Sequence, residues 1–365
     1  MSSSAPAMAA SYVYVSNGDD GDISSYTLKA DGTLAPGART RAGKAVMPMA
    51  VSPDKGVLYV ASRSKPFSVY AYSINKADGA LTLLATSPLP ESFPYISLDK
   101  TGRYLLGASY AGNLVSVNAI GPDGRVAAEP LQVVPVGRNA HSVRVDNSNR
   151  FAYLASLGND QIFQFGFDAG SGRLTSSTPA IALMKPMTGP RHFVISNDNK
   201  FLYVLSELTA AVATFAIDAN TGVLRELFSV SGLPEDTTLN PGAPRGGVSL
   251  PGAPARNTDN DIWAADIHLT PNGRFLYISE RASSSIGAFS VDAGSGRLCL
   301  LSSTPTEKQP RGFAIDAGGR FMVVSGEKSD TVSVYAIDQA SGALKLTGKA
   351  PAGKGANWVE IVSFD

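Results

Sequence analysis

One segment recurs along this chain at a spacing of about 47 residues, and that period restricts the fold more than any other property. Met47-Pro-Met-Ala-Val-Ser-Pro-Asp-Lys-Gly-Val-Leu-Tyr, Ala140-His-Ser-Val-Arg-Val-Asp-Asn-Ser-Asn-Arg-Phe-Ala-Tyr, Pro190-Arg-His-Phe-Val-Ile-Ser-Asn-Asp-Asn-Lys-Phe-Leu-Tyr, Ala265-Asp-Ile-His-Leu-Thr-Pro-Asn-Gly-Arg-Phe-Leu-Tyr and Pro310-Arg-Gly-Phe-Ala-Ile-Asp-Ala-Gly-Gly-Arg-Phe-Met are copies of one unit. Each copy reads as a short strand, a turn and a strongly apolar strand. A period-2 strand, a hairpin and a short fourth strand follow. Four short strands at such a period are the signature of a β-propeller blade. The hairpins Asp168-Ala-Gly-Ser-Gly, Asp218-Ala-Asn-Thr-Gly, Asp292-Ala-Gly-Ser-Gly and Asp338-Gln-Ala-Ser-Gly carry glycine at a fixed place, where a tight turn demands positive φ. No helix follows them, so they are turns rather than phosphate cradles.

The copies place equivalent positions at Met47, Pro94, His141, Arg191, Ala265 and Arg311, and one further step reaches Asn357. The chain therefore reads as an all-β, seven-bladed propeller of four-stranded blades, one domain spanning residues 1–365. Length alone suggests two or three domains, but blades of one ring share one architecture. Ala356-Asn-Trp-Val-Glu-Ile-Val is a lone first strand, while Tyr12-Val-Tyr-Val-Ser at the other end is a second strand. The C-terminal strand is expected to join the N-terminal blade and close the ring, which removes exposed sheet edges. Residues 1–11 are expected to be flexible. The step from Arg191 to Ala265 is 74 residues, and the excess, residues 231–262, is rich in Pro, Gly, Asn and Asp. It reads as a long loop between blades 5 and 6, on the face where first strands begin, and long loops in compact folds tend to be functional.

Composition limits the partners. Lysine plus arginine equals aspartate plus glutamate at 31 each, and no basic run is present, which argues against nucleic acid or an anionic membrane. No apolar run approaches the ~18 residues of a membrane helix, and the N-terminus lacks the charged and apolar regions of a signal peptide. A cytoplasmic protein is expected. The single Cys299 permits no intrachain disulfide and reads as an inert small core residue on an outer strand. Oligomeric state, monomer or dimer, is left open.

In an antiparallel blade, the entry of the first strand and the exit of the second lie on one face beside the central channel. The entry positions are Asn357, Met47, Pro94, His141, Arg191, Ala265 and Arg311; the exit positions are Gly18, Arg63, Tyr110, Leu157, Glu207, Arg281 and Glu327. The charged members fall largely in blades 4 to 7, which makes a one-sided polar site at a channel mouth. The bland alternative is a set of rim ion pairs of ~0–1 kcal/mol each. His192 should point away from Arg191 by strand alternation and support it from behind. His268, three residues into its strand, is placed toward the channel. No histidine has a close i, i+4 partner, so neither a metal nor another cofactor is expected. Asn17-Gly-Asp-Asp-Gly-Asp lacks the closing glutamate of a calcium loop and reads as a solvated turn. No Gly-x-Ser-x-Gly elbow is present for covalent catalysis.

The motifs Pro190-Arg-His, Tyr203-Val-Leu-Ser-Glu-Leu, Ala264-Ala-Asp-Ile-His and Gly273-Arg-Phe-Leu-Tyr-Ile-Ser-Glu-Arg resemble the propeller lactonase family. That family includes seven-bladed bacterial 6-phosphogluconolactonases and carboxy-muconate cycloisomerases. The resemblance runs from about Tyr12 to Phe364. It implies that His141, Arg191, Glu207 and Arg281 form the active-site set, the residues that the two rings also select. This chain departs from the family at Ser206, Asp266 and Glu280, and an acid at Glu280 facing the pocket would disfavour a phosphorylated lactone.

The expectation is a metal-independent lactonase acting on a small-molecule sugar lactone. Glu207 or His141 would be the general base, with the other orienting or protonating. Arg191 and Arg281 would hold an anionic group or the oxyanion, and Arg311 a distal anion, with His268, Glu327, Asn357 and His192 completing the substrate site. The competing readings are a muconate-type cycloisomerase, which needs no water, and a non-catalytic binding scaffold.

Overall fold

The computed structural model describes residues 10–245 and 257–364. Seven four-stranded antiparallel sheets form the blades, and among the described residues the only helical turn is a 3-10 turn at Leu157–Asn159. The first strands are Val46–Val51, Tyr95–Leu98, Ala140–Val145, Pro190–Ile195, Ala264–Leu269, Pro310–Ile315 and Ala356–Ser363. The last of these pairs with Ser11–Asn17, so blade 1 takes its innermost strand from the far end of the chain. Ser11 bonds Ser363 side chain to side chain at 2.8 Å, and Phe364 N–H donates to the carbonyl of Ala10. The expected flexible start at residues 1–11 is thus corrected at Ser11, which strand pairing holds; residues 1–9 lie outside the described residues.

Adjacent blades pack through side chains that alternate out of each sheet. Val194, Phe201 and Tyr203 of blade 5 meet Ile267, Leu276, Ile278 and Phe289 of blade 6 in one buried cluster. The repeat's Phe-x-Tyr and Asp-x-x-x-Gly signatures lock together between blades. Tyr153 Oη donates to the Gly222 carbonyl at 2.7 Å, and a Cβ at Gly222, whose φ is +70°, would sit 2.4 Å from the Phe151 ring. The hairpin glycine is therefore fixed both by its backbone conformation and by the aromatic ring lying on it. The same contact recurs at Gly296 on Phe201 and Gly342 on Phe275.

The first strands are not regular. Register shifts occur at Val46/Met49, Ala140/Ser142, Pro190/Phe193, Ala264/Ile267 and Pro310/Phe313. Bulges of this kind bend a strand and re-aim its side chains. They fall at the entry positions of the ring.

One sequence expectation changes, and one turn expected to be solvated carries a surface ion pair. Cys299 is exposed, because strand alternation buries Leu298 and turns Cys299 outward on the fourth strand of blade 6. The acidic turn after Asn17 is tied down by Arg39, whose Nη2 reaches Asp20 at 2.6 Å and Asp22 at 2.8 Å. No helix among the described residues is long and apolar enough to cross a membrane.

Candidate active site

A cavity of about 210 Å³ opens at the entry end of the channel. It is lined by Met47, Arg63, Pro94, Tyr110, His141, Arg191, Glu207, Arg245, Trp263, Arg281, Arg311 and Glu327. Ten of these are entry or exit positions of the two rings; Arg245 comes from the long loop and Trp263 from the residue between that loop and the strand at Ala264. Five guanidinium groups thus face two carboxylates.

Glu207 is the hub. Its Oε2 accepts from Arg191 Nε at 2.7 Å and from Arg281 Nη2 at 3.1 Å, with all three side chains at most 5% exposed. Arg191 also donates through Nη1 to the Ala265 carbonyl and meets His192 Nε2 at 3.1 Å. Arg281 donates to the carbonyls of Trp263 (2.9 Å) and Ala264 (3.2 Å). Burial, followed by repulsion from Arg191, pulls Arg281 down to about 9, with Glu207 opposing. It remains a cation at neutral pH. Arg311 is also buried and depressed by burial and then Arg191; its Nε lies 3.5 Å from Glu327, and its Nη1 makes no hydrogen bond. Removing guanidinium groups from water beside one another is unfavourable unless an anion completes their bonding.

His141 is buried, its Nδ1 has no hydrogen-bond partner among the described residues, and burial followed by Arg191 holds its pKa well below 6.5. It is therefore a neutral imidazole at pH 7. The Tyr110 ring stands edge-on to it at 5.8 Å, and burial and then Glu207 push the Tyr110 hydroxyl up to about 12.

The structure separates the remaining candidates. His192 and His268 line a second cavity of about 460 Å³ at the other end of the first strands, with Tyr95, Arg144, Asp266, Trp358 and Glu360. His192 Nδ1 lies 2.8 Å from Asp266 Oδ1, and His268 Nε2 lies 3.1 Å from Asp266 Oδ2. Placing His268 and His192 with the substrate is thereby corrected. The bulge after Pro190 sends Arg191 to one cavity and His192 to the other, and strand direction carries His268 past the mouth. His192 still reaches the site through Arg191, which fits its expected supporting role. Asn357 lines a neighbouring cavity, and its amide is spent within the protein: Ser16 Oγ donates to Oδ1 (2.9 Å), and Nδ2 donates to the carbonyls of Val46 (3.2 Å) and Gly355 (3.0 Å). These bonds tie the closing strand to its neighbours. The second cavity is the larger, but the smaller one holds the converging cations, so chemistry rather than size selects it.

Glu280 resolves the question raised by its sequence. Its Oε1 accepts from Trp263 N–H (2.6 Å), and its Oε2 accepts from the N–H and hydroxyl of Ser283 (2.5 and 2.6 Å). Both oxygens are occupied by a loop, and the residue is absent from the pocket wall, so its charge reaches the cavity from behind Arg281 rather than facing a bound anion directly.

The sequence matches the family described as "Lactonase, 7-bladed beta-propeller" over residues 8–361. This chain belongs to that family. It is 38% identical over 304 residues to a 6-phosphogluconolactonase of Serratia proteamaculans, covering 83% of this chain and 84% of that one. It is 34% identical, with the same coverage, to the 6-phosphogluconolactonase of Pectobacterium carotovorum. The structure of a Pseudomonas aeruginosa periplasmic gluconolactonase superposes with a TM-score of 0.83 at 25% identity, covering 98% of this chain and all of that one. A Bacteroides fragilis structure does so at 0.84 and 22% identity, a likeness of fold alone. Among the described residues no group of three or more His, Cys, Asp or Glu side chains is arranged to hold a metal.

Proposed function

We propose that this lactonase hydrolyses a phosphorylated sugar δ-lactone of the 6-phosphoglucono type to its open-chain acid. The observation that carries the reading is the charge of the pocket: Arg63, Arg191, Arg245, Arg281 and Arg311 against Glu207 and Glu327. Such an excess suits a substrate that brings an anion and a reaction that develops one.

Water adds to the lactone carbonyl carbon, and its proton passes to Glu207. Both arginines hold Oε2, which fixes the carboxylate plane and leaves Oε1 to take the proton. The carbonyl oxygen becomes an oxyanion, stabilised by Arg191 and Arg281. Neutral His141 donates a hydrogen bond to the reacting oxygens, a role that suits an imidazole whose pKa lies low. The ring C–O bond then breaks, the leaving oxygen takes up the proton, and the product acid ionises.

The relatives named above and the pocket charge support this substrate. The single cysteine and balanced charge support a cytoplasmic site of action without nucleic-acid or membrane partners. The test is pH-stat hydrolysis of 6-phosphoglucono-δ-lactone and glucono-δ-lactone, with chelator present. Turnover of the phosphorylated lactone well above the spontaneous rate supports the reading. Turnover of neither lactone, with consumption of an unsaturated diacid instead, would move the chain to the cycloisomerase reading.

A further inference from the structure

The long loop and the residue that follows it contribute two side chains to the pocket that no blade position supplies. Trp263 is held firmly: its N–H donates to Glu280, and its carbonyl accepts from Arg281 Nε. Its ring carries two guanidinium groups, Arg281 at 3.6 Å and Arg245 at 3.8 Å. Arg245 is tied across the pocket mouth as well, because Tyr110 Oη, from blade 3, donates to the Arg245 carbonyl at 3.0 Å.

The five arginines are not equivalent. Arg191 and Arg281 share Glu207, and Arg311 faces Glu327. Arg63 is bonded to Ser92 Oγ at 3.2 Å and lies against Met47. Arg245 forms no ion pair among the described residues, and its guanidinium makes only long contacts to Thr258, at 3.4 and 3.3 Å. It is half-buried, as is Arg63, whereas Arg191, Arg281 and Arg311 are buried; of the two half-buried arginines only Arg245 lies stacked on an aromatic ring. A stacked, orientated fork that meets no carboxylate among the described residues is prepared for bidentate capture of a phosphate, since stacking restrains its rotamers before the ligand arrives.

We infer that Arg245 is the specificity-determining residue of this site: it grips the phosphate at the far end of the lactone, while the buried arginines serve the reacting carbonyl. The inference rests on the lactonase reading above. It separates two jobs within one cationic pocket, so a change at Arg245 should alter which lactone is preferred and leave the chemistry intact.

The experiment measures kcat/KM for 6-phosphoglucono-δ-lactone and glucono-δ-lactone with wild type, Arg245→Ala and Arg245→Lys. Losing a charge-assisted pair should lower kcat/KM for the phosphorylated lactone on the order of 10- to 100-fold, mostly through KM. Turnover of the neutral lactone should stay within about threefold, and Arg245→Lys should recover part of the loss, as a point charge without the fork. An equal fall with both lactones, a fall under about threefold with the phosphorylated one, or a wild type that prefers the neutral one overturns the inference. If wild type turns over neither lactone, the reaction reading fails by itself, and calorimetric titration with 6-phosphogluconate and gluconate decides Arg245. Binding of 6-phosphogluconate that weakens at least tenfold in Arg245→Ala, with gluconate unaffected, upholds the anion site. No binding to wild type, or equal binding to both proteins, removes it.

Discussion

Replacing Glu207 by glutamine tests the hub of the site with almost no change in shape. The substitution leaves Arg191 and Arg281, both buried, without their shared counter-charge. Removing one partner of a buried ion pair costs about 3–5 kcal/mol. Unfolding entropy near the midpoint is about 2.1 cal/mol/K per residue, or about 0.8 kcal/mol/K for 365 residues, so Tm should fall by about 4–6 °C. Kinetically, the loss of a general base lowers kcat by about 100-fold or more. Binding should move the other way. With only Glu327 left against five arginines, an anionic lactone meets a more positive pocket, so KM should hold or fall. Calorimetry gives the first number and pH-stat kinetics the other two. A kcat within threefold of wild type, or a Tm unchanged to within a degree, would refute Glu207 as the organising base. A large loss in His141→Gln beside a small one in Glu207→Gln would transfer the role to His141.

Stability should decline on the acid side. Burial, then Arg191, lowers His192 from 6.5 to about 3, and His141 is depressed too, so the unfolded chain binds protons that the native one refuses. For His192, stability is full above about pH 6.5 and is lost toward pH 3 at about 1.4 kcal/mol per pH unit, with His141 acting in the same direction; His192→Gln should flatten this slope in denaturant melts. Glu360 shows the opposite sign, because burial raises it from 4.5 to about 7. Its contribution is present in acid and lost as pH rises through 7, so Glu360→Gln should raise Tm at pH 8 and leave it unchanged at pH 4. Ending the chain before Ala356 strips blade 1 of its inner strand and should increase the aggregated fraction on size-exclusion chromatography relative to the full chain.

The ring was legible because its physics repeats. Phe-x-Tyr, Asp-x-x-x-Gly and the apolar second strand recur because each blade must meet the next in the same way, and the orphan strand at Ala356 announced its own closure. The two rings at the channel mouth followed from strand direction alone, and they placed His141, Arg191, Glu207, Arg281, Arg311 and Glu327 around one cavity. What escaped had no period. Arg245 sits in the insertion and Trp263 directly after it, where no second copy marks a position; charged and aromatic residues in or beside a loop rich in Pro, Gly, Asn and Asp were the only signal. Alternation turned His192 away from Arg191 as the structure has it, but naming His192 and His268 as substrate contacts ignored how far along its strand each lies, and both line the cavity at the other end of the channel. Cys299 was misread because a short outer strand has one face on the blade interface and one in water, and composition does not tell which.

The pairing of Ser11–Asn17 with Ala356–Ser363 also sets a schedule. Ser11 and Ser363, bonded side chain to side chain, are 352 residues apart. At about 5–20 residues per second, a ribosome needs on the order of 20–70 s between them. Throughout that interval blade 1 waits with three strands and one bare edge, while blades 2 to 7 emerge already whole. Arg191, Glu207 and Arg281 can find one another before then, but the channel they border is not a closed ring until the last strand arrives. Synthesis and assembly of this site are therefore separated in time, and a chaperone that acts on the nascent chain has one particular edge to guard.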